Sequence, residues 1–213
     1  MTSLADLKSM VQAEVGRLLA PRGYKLVKSD SALRRSTPLG WWELHLAFIY
    51  HKPVDVDVFP SVGARFDAVQ DVLFEGDVAS KGGRGTMTIG ATFGNIAGGG
   101  VIDWTVASAA DVPRVAKEVV GAFDRIGQPY LLKYAEPAAV LEKLLGTDPD
   151  AWHLWPDAIG MRCRALALAY VLEKHELIEP IIARAEAERA KDPNLPRFRA
   201  LAERIRAKRS GLR

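Results

Sequence analysis

Four short stretches of the chain alternate apolar and polar residues, and this alternation constrains the fold more than any other feature. Successive side chains of a β-strand point to opposite faces, so alternation indicates strands with one dry face and one wetted face. Strands of this kind are typical of antiparallel sheets. The alternating segments are Trp41–Tyr50, Val54–Val58, Thr86–Phe93 and Val101–Val106. Their dry positions, which we expect in the core, include Trp42, Leu44, Leu46, Phe48, Ile89, Phe93 and Trp104.

Apolar residues spaced three and four apart predict helices before, between and after these strands. The helices are expected over residues 3–20, 64–75, 111–127, 136–146, 157–174, 177–191 and 195–208. Because runs of strands are followed by runs of helices, the sequence favours an α+β fold over an alternating parallel α/β fold. We therefore predict an antiparallel sheet of four to six strands, helices on one face, and a C-terminal helical subdomain.

Turn residues define how these elements are expected to connect. Residues 1–146 are predicted to form the sheet domain, and residues 147–213 a helical hairpin-like subdomain packed on it. The first two alternating segments should form one hairpin, with Pro60 and Gly63 breaking its second strand. The last two should form a second hairpin joined by a glycine-rich loop, and Gly127 should end its helix.

Composition limits the class of protein. Hydrophobic residues make up 48% of the 213 residues and charged residues 26%, which is sufficient for a folded core. The single cysteine, Cys163, excludes an internal disulfide and a zinc site built from several cysteines. There is no apolar run of membrane-spanning length and no signal-peptide core, so we expect a soluble, cytoplasmic protein without membrane contact.

Charge is distributed unevenly along the chain. The segment Ile159–Arg213 holds 13 Lys and Arg residues against 7 Asp and Glu residues, a net charge of +6. The rest of the chain holds 16 against 19, a net charge of −3. A solvated helical surface explains such a tail, and nucleic-acid binding is the alternative. The residues of this basic tail are Arg197, Arg199, Arg204, Arg206, Lys208 and Arg209.

The wetted positions of the strands form the candidate contact surface. They bring carboxylates and a histidine onto one face, which suits a cation site or an acid–base pair. A half-solvated sheet also needs polar residues there, and no spacing matches an established metal or hydrolase motif. The candidate surface consists of Trp41, Glu43, His45, Asp55, Asp57 and Asp103.

Other signals for chemistry are missing from the sequence. The glycine clusters at residues 82–85 and 94–100 lie between predicted strands and lack the Gly-Lys-Ser/Thr ending of a phosphate-binding loop. The histidines and the cysteine belong to no nucleophile motif. We therefore predict no catalytic residues, no metal and no cofactor.

Five segments of the chain carry a family resemblance: Gly23-Tyr24, Leu33-Arg34-Arg35-Ser36, the strand Trp41–Tyr50, the segment Val62–Leu73 and Pro129-Tyr130-Leu131-Leu132. With these segments and its order of elements, the chain resembles the bacterial family named domain of unknown function 4304 over roughly residues 3–146. The resemblance implies a small soluble α+β protein without assigned catalytic residues, and for some such domains it implies a role beside toxins or in defence loci.

These observations together predict a non-enzymatic binding protein, of the immunity or accessory type, whose partner is another protein. A homo-oligomer is compatible with this prediction. Two alternatives remain open: a metal-dependent hydrolase that uses Glu43, His45, Asp55 and Asp57, and a nucleic-acid-binding protein that uses the basic tail.

Overall fold

The chain folds into an α+β protein, as predicted, and forms two compact units that interleave along the sequence. The computed structural model describes residues 2–75, 86–146, 151, 154–155 and 157–211. A sheet unit comprises Met1–Arg65 and Ile89–Lys133, and a helical unit comprises Phe66–Thr88 and Tyr134–Arg213. The sequence predicted a single domain boundary at residue 146. The division into two domains at that boundary stays a prediction.

A six-stranded antiparallel sheet organises the sheet unit, and this confirms the predicted sheet type and strand number. The strand order is β1-β2-β3-β4-β5, with β6 also paired to β4. The strands are β1 Lys25–Val27, β2 Ala32–Thr37, β3 Gly40–His51, β4 Asp55–Phe66, β5 Ile89–Thr92 and β6 Trp104–Val106.

The predicted second hairpin is wrong, because β5 and β6 do not pair with each other. Both strands pair antiparallel with β4, β5 along Ser61–Ala64 and β6 along Val56–Val58. Between them, Thr92 caps the short helix α3, Phe93–Ile96, and turns the chain away from the sheet. The three glycines at 98–100 all have positive φ, a conformation that favours glycine, and they return the chain to the same edge.

The predicted break of β4 at Pro60 and Gly63 is also wrong. The strand continues to Phe66, and helix α2 occupies Asp67–Phe74. Pro60 falls between the segment paired with β6 and the segment paired with β5, so neither ladder includes it. Gly63 lies opposite Gly90 within the ladder. A proline and a glycine therefore occur within a continuous strand.

Helices α1, Leu4–Leu19, and α4, Val112–Ala122, pack against each other in the sheet unit, and both contact its strands. Ser3 and Asp6 form a reciprocal capping box that begins α1. Gly127 does not end its helix as predicted: a wide turn over Phe123–Gly127 leads directly into α5, Gln128–Lys133. Pro129 has no N–H for the carbonyl four residues earlier, and a wider turn accommodates this loss.

The sheet core follows the predicted parity only in part. Leu44, Leu46, Ile89 and Phe93 are fully buried, as expected. Trp42, Phe48 and Trp104 were predicted in the core, but each is only half-buried. Trp42 lies under the Arg35 guanidinium, whose central carbon is 5.4 Å from the ring centroid.

Helix α7, Ala158–Val171, lies at the centre of the helical unit. From Ile159 to Ala169 its side chains are buried, apart from the half-buried Met161 and Arg162. It contacts α2 and three further helices. These are α6 Pro137–Leu145, α8 Ile178–Glu188 and α9 Leu195–Arg209.

The glycine cluster at residues 82–85 lies outside the described residues, and so does most of the segment 147–156 at the start of the predicted helical subdomain. Within the described part of the chain, no helix combines the length and the apolarity needed to cross a bilayer.

Candidate functional site

The first part of the predicted polar face lies at the β2–β3 pair. Arg34 stands opposite Glu43 in the strand register, and its Nε lies 2.7 Å from a Glu43 carboxylate oxygen. Asp30 approaches the same guanidinium at 2.7 Å. Glu43 was predicted on the wetted surface, but it is only 7% exposed. Burial raises the pKa of Glu43, against the opposing effect of the hydrogen bond from Arg34.

Trp41 lies between two arginines on this face. The guanidinium carbons of Arg34 and Arg65 are 4.9 and 4.5 Å from the indole centroid, within cation–π range. The indole N–H is buried and has no hydrogen-bond partner. Arg34, Trp41, Glu43 and Arg65 therefore form a mutually packed group, which we call the arginine–indole cluster. Within it, Arg34 bonds to Glu43, and outside it Arg34 also pairs with Asp30.

His45 is half-buried beside this cluster and opposite Ala32 in the register. Burial lowers the pKa of His45, and the negative charge of Asp30 offsets part of that effect. His45 is therefore biased towards its neutral form, but it does not join the carboxylates of β4.

A second group, the His–Asp cluster, lies where β3 meets β4. It consists of His51, Asp55 and Asp57, whose potential ligand atoms all lie within 4.8 Å of one another. The His51 Nε2 and an Asp57 oxygen are 2.7 Å apart, and the Thr105 hydroxyl donates to the other Asp57 oxygen at 2.6 Å. The Thr105 hydrogen bond, and then His51, hold the pKa of Asp57 below its usual value.

The structure thus divides the predicted hydrolase set. Asp55 and Asp57 come together with His51, whereas Glu43 and His45 remain at the β2–β3 pair. Asp103 is exposed and precedes β6. Strand parity correctly placed Asp55 and Asp57 on one face, and the last residue of β3 supplied the histidine.

The end of the β3–β4 hairpin carries exposed apolar side chains that the sequence pattern did not indicate as a surface. Ile49 is 49% exposed, Tyr50 40% and Val54 65%. We call residues 49–55 the hairpin end. The sequence signal for this exposed apolar surface was that the run Ala47-Phe48-Ile49-Tyr50 contains no charged residue. Alternation assigns only every second residue of this run to the core.

Three of the six residues of the basic tail form ion pairs within the helical unit. Arg199 lies 3.0 Å from Glu186, Arg206 pairs with Glu179, and Lys208 pairs with Glu75. Arg204 approaches the carbonyls that end α2, and Arg197 lies over the Phe74 ring. Arg209 is exposed in the last turn of α9. Much of the tail's charge is therefore compensated locally.

Arg164 is a buried cation that the sequence analysis missed. It is 6% exposed and stacks on Trp155 with its guanidinium carbon 3.3 Å from the ring centroid. It donates to the carbonyls of Thr88, Gly160 and Met87 at 2.6, 3.1 and 3.3 Å. Burial lowers the pKa of Arg164 to about 10. The residue ties the segment before β5 to α7, which is a structural role.

The fold and the two clusters define an α+β protein built on an antiparallel sheet with an exposed hairpin end. Comparison with known proteins found no matching protein-family model, curated protein or solved structure. The resemblance to domain of unknown function 4304 therefore stays an expectation from the sequence.

Proposed function

We propose that the chain is a protein-binding protein whose contact surface is the hairpin end. The observation that carries this proposal is the exposure of Ile49, Tyr50 and Val54 at one end of one hairpin. Single exposed apolar residues are ordinary, whereas several together mark interaction sites. Tyrosine is also among the residue types enriched in protein interfaces.

The surroundings of these residues support the same function. His51 and Asp55, which lie next to Tyr50 and Val54 in sequence and close to each other in space, would supply the polar rim that surrounds the apolar centre of an interface. In the arginine–indole cluster, by contrast, the Arg34 guanidinium is already paired with Glu43 and with Asp30. A cytoplasmic binding protein of the immunity or accessory type, as the family resemblance implies, is consistent with this surface.

A site-specific photocrosslinker tests the proposal. The photoreactive residue replaces Tyr50 in the full chain, which is expressed in its native host and irradiated. The matched control places it at Leu132, which is exposed at 58% in the same unit. We expect a discrete protein adduct from position 50 and none from position 132. Equal labelling from both positions, or no adduct from position 50, would refute the proposal.

Divalent-cation binding at the His–Asp cluster is a second candidate, favoured by the proximity of its three ligating groups. Such a site is the first requirement of the metal-dependent hydrolase alternative. Calorimetric titration with Mn²⁺ and Zn²⁺ should then show one site that Asp55→Asn removes, with Asp103→Asn as the control. Absence of binding heat with either metal would eliminate this candidate.

A further inference from the structure

One edge of β3 is open along the half of the strand that approaches the hairpin end. The register with β2 stops at Ala32 opposite His45, and one more bond joins the Leu46 N–H to the Ser31 carbonyl at 2.9 Å. Beyond Leu46, none of the described strands pairs with β3 on that side. On this edge, residues 47–51 therefore have no paired strand among the described residues, whereas their other edge faces β4.

The direction of the free backbone groups follows from that last bond. A residue in an antiparallel strand directs its N–H and C=O to the same side, and this side alternates along the strand. Because Leu46 donates towards β2, Phe48 and Tyr50 direct their backbone groups to the open edge. Two residues thus offer two donors and two acceptors to an incoming strand.

Within its own strand, the open edge lacks the features with which proteins usually protect exposed edges; a charge nearby is that of Lys8 on α1, whose Nζ lies 5.5 Å from the Phe48 ring centroid. Such edges carry lysines, inward-pointing charges, prolines or bulges. The segment Leu46–Tyr50 contains no charged residue and no proline, and Ile49 and Tyr50 are exposed within it. An edge of this composition favours addition of a further strand.

We infer that a second copy of this chain adds to the edge, with the two β3 strands antiparallel across a two-fold axis at Ile49. The inference rests on the proposed binding function of the hairpin end and names its partner. In this register Phe48 of each copy lies opposite Tyr50 of the other. All the free backbone N–H and C=O groups of Phe48 and Tyr50 are then used, which gives four hydrogen bonds between the two copies. The pairing does not extend to Leu46, because its N–H is already bonded to the Ser31 carbonyl.

Self-pairing suits these side chains. The two Ile49 residues meet at a non-hydrogen-bonded position, where opposed Cα atoms are about 4.5 Å apart and side chains touch closely. On the other face, each Phe48 meets a Tyr50, and cross-strand aromatic pairs stabilise sheets. Within the paired strands no like charges are opposed, since the segment Leu46–Tyr50 carries no Asp, Glu, Lys or Arg. The contact is isologous, so it closes as a dimer.

Sedimentation velocity of the full chain tests the inference. A short strand pairing buries little area, so we expect reversible dimers with Kd of roughly 1–100 µM, typical of small interfaces. Ile49→Lys and Ile49→Glu should each weaken dimerisation at least ~10-fold, because like charges meet across the axis. An equimolar mixture of the two variants should restore the dimer. Leu132→Lys is the control and should leave it unchanged.

Several results would overturn the inference. A wild-type chain that stays monomeric up to about 500 µM, well above the range of weak interfaces, excludes self-pairing. A dimer that neither Ile49 variant weakens uses another surface, and a mixture that fails to recover the dimer excludes the two-fold contact at Ile49. A foreign adduct from the crosslinker at position 50, combined with a monomeric chain, would refute self-pairing and keep the proposed binding function.

Discussion

Gly127 offers a direct test of how the sheet unit is packed. A Cβ added at this position would lie 2.9 Å from side-chain carbons of Phe123 and Val62 and 3.1 Å from one of Phe93. Phe123 and Phe93 are fully buried, and Val62 is nearly so. Gly127→Ala therefore forces three core side chains to move, and we expect it to destabilise the protein despite the better helix propensity of alanine.

The magnitude follows from two opposing effects. Alanine in place of glycine within a helix contributes about 1 kcal/mol of stability. Overpacking a dense core costs about 1–3 kcal/mol, and the upper end applies because three elements are crowded at once. The expected net loss is about 2 kcal/mol, which lowers the Tm by about 4–8 °C in a chain of this length.

Gly121→Ala is the matched control on the same helix. Its added Cβ would meet only the end of the flexible Arg125 side chain, at 3.3 Å. We expect a gain of about 0.5–1 kcal/mol, since the propensity effect is then nearly unopposed. Urea titrations followed by circular dichroism should show midpoints that move in opposite directions. If Gly127→Ala were as stabilising as Gly121→Ala, the close packing around Gly127 would be refuted.

Three further predictions concern other parts of the molecule. Arg164→Met should lower the unfolding free energy by about 2–4 kcal/mol in urea titrations, because buried carbonyls lose charged donors, and Arg164→Lys should recover part of the loss. Thr105→Val should raise the pKa of Asp57 in carboxyl NMR titrations, since the largest cause of its lowered value is removed. The stability that Asp57 contributes above its unfolded pKa, and that is lost as the pH falls through its folded pKa, should then shrink; an unchanged pKa would contradict the assignment. Any nucleic-acid affinity of the basic tail, measured by fluorescence polarisation at low salt, should increase in Glu186→Gln, which releases Arg199; an unchanged affinity would count against the tail as the binding surface.

The sequence predicted the strand-rich part of the fold well where one physical rule acted alone. Alternation located β3 and the first half of β4, because burial of one face imposes period two on the residues themselves. The same rule failed at Pro60 and Gly63, since their local effect depends on which neighbouring strand lies beside them. That information resides in β5 and β6, far away in sequence.

Glycine was equally ambiguous as a signal. Gly127 followed an amphipathic helix and was interpreted as its end, whereas the structure uses it for close contact with Phe123 and Val62. Both roles require a missing side chain, and the sequence does not distinguish them. The structural role of Arg164 could not be predicted for a related reason. A cation within an apolar helix can be interpreted only when the carbonyl groups that accept its hydrogen bonds are known.

The structure of the basic tail determines which kind of variant can test nucleic-acid binding. Truncation before residue 195 would remove α9, whose residues Phe198, Leu201 and Ile205 are buried. A loss of nucleic-acid binding after that truncation would also follow from damage to the helical unit. Charge changes at surface glutamates leave those buried residues in place, so they isolate the electrostatic effect.

The alternating strands themselves illustrate the difference between a sheet's face and its edge. Parity assigns each side chain of β3 to a face, and it led to the polar positions Trp41, Glu43 and His45 as the candidate surface. Trp41 and Glu43 turned out to pack with arginines, and His45 is half-buried beside them. Every residue of a strand carries the same backbone N–H and C=O groups. The pattern of side chains therefore does not show where these groups are left unpaired at an edge. The open edge at Phe48 and Tyr50 emerges only from where β2 stops, and it directs the search for a partner from the face of the sheet to the end of the hairpin.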